Sequence, residues 1–185
     1  MFFDELDTFL DGVRTGILAH SEEKPPEEDD IIDELLDLYL LAYFEGSQDA
    51  AKELMIDTEP SVEAAEEAIN RPVAGKTFQE RVREYLSGNG DVSPAEGIVR
   101  LADTDSVRIY NEAKLTTATA NGATKKTWRT MEDFKVRDTH RFLQDMTVPI
   151  DARFYTYDGD SAPAPAQFSL ASNNVNCRCW LEFSK

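Results

Sequence analysis

The sequence predicts an α+β fold, with a helical N-terminal region over residues 1–91 leading into a small mixed α/β module over residues 92–185. Three observations predict it. Apolar residues of the first half recur at three- and four-residue steps, the spacing of helices with one buried stripe. After Gly122 the period changes to short runs rich in Thr, Val, Trp, Phe and Tyr between turn residues, the pattern of strands. Charge divides in the same way: residues 1–91 hold 24 Asp and Glu against 7 Lys and Arg, a net of −17, whereas residues 92–185 hold 12 of each.

A chain of 185 residues, 41% of them apolar or aromatic, is long enough to bury a core as one domain or two small ones. The acidic first half is repelled by polyphosphates and anionic membranes, which call for clustered cations. Any nucleic-acid contact therefore falls to the second half, and the acidic face suits a basic protein partner or simply keeps the chain soluble. No signal peptide or membrane span is expected. The most apolar run, residues 35–44, is about ten residues long and interrupted by Asp37, against the roughly 20 that a bilayer requires. These features point to a protein made and kept in a cytoplasm.

Residues 1–19 place Phe2, Phe3, Leu6, Phe9, Leu10, Val13 and Ile17 on one helical stripe suited to docking. Residues 20–30 read as a linker through Pro25-Pro26, its closing acids favourably set at the start of the next helix. That helix is expected over 31–44, with Leu35, Tyr39 and Tyr43 inward and Gly46 as its stop. Short helices are expected over 47–56, 61–69 and 77–86. Ser93-Pro94-Ala95-Glu96 is a capping box with proline at the first helical position. It opens a helix over 94–102, and Asp103-Thr104-Asp105 restarts a second one to about residue 121. Strands are expected over 127–131, 147–150, 153–157 and 175–183, a short helix over 137–143, a turn at Asp158-Gly159-Asp160 and an extended connector at Pro163-Ala164-Pro165.

Residues with chemical potential gather in the module. His140, Cys177 and Cys179 are metal-ligand types, but one Cys-x-Cys and one histidine fall short of the four ligands of a structural zinc. No metal and no cofactor are expected. Two residues apart on an extended strand, the cysteines are poorly placed to bond each other and read as reduced, buried small hydrophobes on one face. A nucleophilic cysteine served by His140 lacks any recognisable nucleophile turn, so no catalytic residue is assigned. The cluster Asp133, Arg137, Asp138, His140 and Arg141 reads as a polar lattice, with Arg137 and Arg141 clamping Asp133, Asp138 or Asp151 and His140 donating to a backbone carbonyl. Trp128 and Trp180 read as core partners.

Lys126-x-Trp128, then Asp133-x-x-Val136-Arg137-Asp138-x-His140-x-x-Leu143, Phe154 and Asn176-Cys177-Arg178-Cys179, in that order, resemble the phage Mu F-like minor head proteins, also called phage head morphogenesis proteins. The resemblance spans roughly residues 105–183, with the acidic helices in the place of a variable N-terminal region. It implies a virion protein of the capsid interior, present in the host cytoplasm during assembly. Its implied partners are the portal protein and the major capsid or scaffold protein, and its implied role is head assembly and the packaging, retention or ejection of DNA. It also implies a fold similar to that of ADP-ribosyltransferases, which makes an enzyme or toxin of that type the alternative. For that chemistry the chain lacks a Glu-x-Glu pair on a late strand and a Ser-Thr-Ser segment. After the histidine the family tends to run Leu-Asp-Gly, whereas this chain has Leu143-Gln144-Asp145-Met146 and builds the turn without glycine.

Overall fold

The structure, a computed structural model, describes residues 27–88 and 92–185 together with Asp11 and Thr15. The expected docking helix over 1–19 and most of the linker lie outside the described residues. Four helices come first: α1 (Glu28–Leu54), α2 (Val62–Asn70), α3 (Phe78–Leu86) and α4 (Pro94–Ala120). After α4 come β1 (Lys125–Arg129), α5 (Asp138–Arg141), β2 (Thr147–Pro149), β3 (Phe154–Tyr155), β4 (Ser161–Ala162), α6 (Ala171–Asn174) and β5 (Trp180–Ser184).

Local signals set most helix starts. Ser61 accepts a hydrogen bond from the Ala64 N–H, and both Thr77–Glu80 and Ser93–Glu96 form reciprocal capping boxes. Glu28, Asp29 and Asp30 fill the first turn of α1, where the helix dipole favours negative charge.

Two expected breaks are absent. Gly46 does not stop a helix; α1 runs through it because α4 crosses there. A Cβ at Gly46 would lie 2.2 Å from the Tyr110 carbonyl oxygen, so this glycine serves close backbone approach. Nor does Asp105 restart a helix. It sits buried mid-helix in α4, where Arg81 of α3 grips both its oxygens at 3.0 and 2.5 Å. Every residue from 105 to 114 of α4 is buried, which makes α4 the central element against which the others pack.

The sheet is antiparallel in the order β2-β1-β5, with Lys126 opposite both Val148 and Phe183 and Trp128 opposite Leu181. Strands β3 and β4 form a separate hairpin. One core runs continuously from Ile31 of α1 to Phe183 of β5. The expected strand over 175–183 is shorter than its sequence pattern. Residues 176–179 form a loop in which Asn176 adopts a left-handed φ of 57°, and pairing begins only at Trp180. Because Trp128 faces Leu181, Trp180 takes the other side of the sheet opposite Arg129, so the two tryptophans are not each other's partners.

Among the described residues the outer edge of β5 has no neighbouring strand, and helix side chains cover it. Asn111 of α4, fully buried, accepts the Leu181 N–H at 3.1 Å and donates to the Cys179 carbonyl at 3.0 Å, as a paired strand would. Glu53 of α1 accepts the Phe183 N–H at 3.2 Å and pairs through its other oxygen with Lys114.

Replacing Asn111 by Ala leaves the Leu181 N–H of β5 and the Cys179 carbonyl just before it without their side-chain partner. The expected loss is about 2–4 kcal/mol in urea unfolding with an unchanged m-value. Gly46→Ala is expected to cost about 1–3 kcal/mol through overpacking against α4.

Candidate functional site

Three chain segments build the site. Strand β1 supplies Trp128, which is fully buried and meets Phe154 edge-on at 5.1 Å between ring centroids. Helix α5 supplies His140, 1% exposed, whose ring stacks on Phe168 and meets Trp128 edge-on, both at 5.4 Å. The loop after α6 supplies Cys177 and Cys179, both buried and both free thiols. Their sulfurs lie 3.6 and 3.5 Å from a single atom, Nδ1 of His140. That atom faces the thiols, so the expected donation from His140 to a backbone carbonyl is replaced by contact with sulfur. Its other nitrogen, Nε2, is buried without a hydrogen-bond partner.

Cationic side chains fix the loop. Arg178 forks onto Asp133 at 2.8 and 2.7 Å, and Arg137 donates to the Ser172 and Val175 carbonyls at the end of α6. Arg141 pairs with Asp138 at 3.0 Å on the surface and donates to the Val136 carbonyl at 2.8 Å. The expected lattice is therefore partly repartnered. Asp133 belongs to Arg178, and Arg137 clamps main-chain oxygens because its fork reaches a helix end whose carbonyls need donors. Arg178 holds the Asp133 carboxyl below its ordinary range.

The two thiols divide their proton affinity. Cys177 is pushed well down, chiefly because Cys179 donates to its sulfur and His140 lies beside it. Cys179 is pushed well up by the same contact and by burial. A small cavity of about 10 Å³ opens beside the cluster, lined by Lys135, Arg137, Asn176 and Arg178.

Of the nine singled-out residues, Trp128, Asp133, Arg137, His140, Asn176, Cys177, Arg178 and Cys179 come together, while Asp138 stands apart with its side chain 78% exposed. The turn that lacks the family glycine is made by Asp145 at φ 63°, its N–H donating to the Trp128 carbonyl at 3.0 Å and its carboxylate engaged by Arg129.

Sequence reading missed two supports. Asp160, read as a turn residue, is buried and accepts from the Ser161 and Leu170 N–H groups at 2.8 and 2.9 Å. It also accepts from the Ser169 hydroxyl at 2.6 Å and the Asn173 amide at 3.1 Å. Burial alone would raise its pKa; these donors outweigh burial and hold it well below the usual carboxylate range. Lys126 is 1% exposed, donates to the Pro163 carbonyl at 2.8 Å and lies over the Phe154 ring. Two acids around one glycine, and a lysine alternating inward with Trp128, were the available signals.

The family model described as phage Mu protein F like protein matches residues 62–182. The chain belongs to the phage Mu protein F-like family. The match takes in α2 and α3 as well as the module, and so begins well before the span that the motifs alone outline. Among curated proteins the chain is similar to the NAD(+)--arginine ADP-ribosyltransferase EFV of Enterococcus faecalis (strain ATCC 700802 / V583), 30% identical over 142 residues. That similarity covers 60% of this chain and 29% of the relative's length. No solved structure matches. The family membership points to bacteriophage head morphogenesis.

Burial brings the Lys126 pKa from 10.5 down to about 8, Asp151 opposing and Arg153 assisting. Between those values the unfolded chain holds a proton that the folded chain has released, so stability rises with pH across the window and carries the full desolvation cost below it. Urea unfolding from about pH 7.5 to about pH 10 is expected to show the natural chain gaining stability relative to Lys126→Met. Parallel pH profiles would contradict this.

Proposed function

We propose that this chain is a minor head protein that works in head morphogenesis at the portal vertex of a phage procapsid, and in packaging, retention or ejection of DNA. The observation that carries the reading is the family match over residues 62–182, which includes the whole cluster around His140. The character of that cluster supports it. Trp128, His140, Cys177 and Cys179 are all 3% exposed or less, which suits a folded anchor better than an open reaction cleft.

The partner-facing part is the acidic helical region. On α1 the exposed side carries Asp29, Asp30, Asp33, Glu34 and Asp37, followed by Leu41 at 43% exposure. A stripe of that kind steers toward a basic protein surface, with the portal protein as the first partner and the major capsid or scaffold protein as the second. No described helix is long and apolar enough to cross a membrane. In this reading the chain resides in the capsid interior, reached from the host cytoplasm during assembly.

The named relative favours a second reading, an ADP-ribosyltransferase-type enzyme or toxin. The chain spans 29% of that relative. Its final strand carries one acid, Glu182, which Arg129 engages at 2.7 Å.

Purified chain is expected to capture the portal protein of its own genome at low salt, with binding weakening as salt rises. Changing Asp33, Glu34 and Asp37 to Asn, Gln and Asn is expected to lower affinity on the order of tenfold, mainly through association rate. Absence of capture at low salt would overturn the portal reading. Incubation with labelled NAD and host lysate addresses the second reading, and label transfer abolished by a single substitution in the module would overturn the preference for assembly.

A further inference from the structure

The geometry points to a zinc site made by His140 Nδ1, Cys177 Sγ and Cys179 Sγ, with a solvent ligand completing the tetrahedron. This inference is independent of the assembly reading and departs from the sequence-based expectation of no metal. It begins with a bonding problem. Two sulfurs approach one ring nitrogen at 3.6 and 3.5 Å, and that nitrogen has either one lone pair or one proton to offer. One hydrogen bond of that nitrogen serves one sulfur, and the second thiol is left to its contact with the first. A cation at the centre would engage all three atoms at once.

Distances fit the cation. With Zn–S near 2.3 Å and Zn–N near 2.0–2.1 Å at a tetrahedral angle, the sulfur–nitrogen edge is about 3.5 Å. All three donor atoms lie within 4.8 Å of one another, close enough to supply one face of a coordination tetrahedron. Donor type selects the metal. Two thiolates and an imidazole are soft to borderline ligands, which favour zinc over magnesium or calcium. Two thiolate charges cancel those of the ion and leave a neutral buried centre, the form a low-dielectric interior tolerates.

The fourth position has a place. The cavity of about 10 Å³ beside the cluster is the size of one water, and Asn176 and Arg178 on its wall offer polar partners to a bound water. The same geometry explains the left-handed backbone at Asn176, which turns the chain so that Cys177 and Cys179, separated by Arg178, both present sulfur to α5. A metal here would tie α5 to the chain end across 37 and 39 residues of sequence.

The test uses untagged full-length protein. After purification from zinc-supplemented medium and exhaustive dialysis, metal analysis is expected to find one zinc per chain. Protein stripped with a chelator and refilled with Co2+ is expected to show the visible ligand-field bands of a tetrahedral site and thiolate-to-cobalt charge transfer. Cys177→Ser and Cys179→Ser should each lose charge-transfer intensity. His140→Ala should weaken zinc binding by more than about 100-fold, beyond the loss caused by removing an outer partner. His20→Ala, which changes the other histidine of the sequence, should leave both signals intact. Should the substituted chains fail to fold by circular dichroism, the cobalt spectrum of the natural chain decides. Folded natural protein without ligand-field bands, whose thiols react equally fast with and without zinc, would overturn the site. Metal lost in His20→Ala but kept in His140→Ala would do the same.

Discussion

The free edge of β5 is the constraint on which the module depends. A strand edge exposes donors and acceptors that cannot be left dry in a protein interior. Here α4 meets them with one asparagine, and Asn111 holds the Cys179 carbonyl and the Leu181 N–H as a neighbouring strand would. Glu53 does the same one step further along at Phe183. The loop carrying both cysteines enters β5 directly, so the aim of the two sulfurs at His140 is set from the helical half of the molecule.

Charge is handled differently inside and outside. Despite a net charge of −17, the interior acids are accounted for by specific donors. Arg81 forks onto Asp105, Lys114 pairs with one oxygen of Glu53, and Arg108, 5% exposed, reaches the Ala68 carbonyl and Glu112. Breaking such a pair leaves an uncompensated buried charge, which makes these contacts guardians of one arrangement more than sources of net stability. The acids on the outer side of α1, Asp29, Asp30, Asp33, Glu34 and Asp37, are instead exposed to solvent.

Among the described residues, two buried ions of the module, Asp160 and Lys126, meet no counter-ion in hydrogen-bonding contact. Asp160 is solvated by main-chain N–H groups, a hydroxyl and an amide, and Lys126 by a carbonyl and an aromatic face. The core that these ions border is shared with the helices and runs from Ile31 to Phe183. Polar groups that can be satisfied in only one geometry add specificity to that apolar packing.

By itself the sequence determined the α+β class, the Ser93–Glu96 capping box, the inward residues of the first helices, the strand positions near β1 and β2, and the two stretches, around residues 133–140 and 176–179, that supply much of the cluster. Each of these depends on local chemistry or on a short period. Only the tertiary structure decided that Gly46 and Asp105 lie inside long helices, since a glycine that admits a crossing helix and an aspartate gripped by Arg81 look in one dimension like stop and start signals. It also decided the partners. Arg178 finds Asp133 across 45 residues, and Asn111 finds β5 across about 70. The convergence of two thiols on one imidazole nitrogen is a property of three segments meeting in space, which spacing along the chain does not encode.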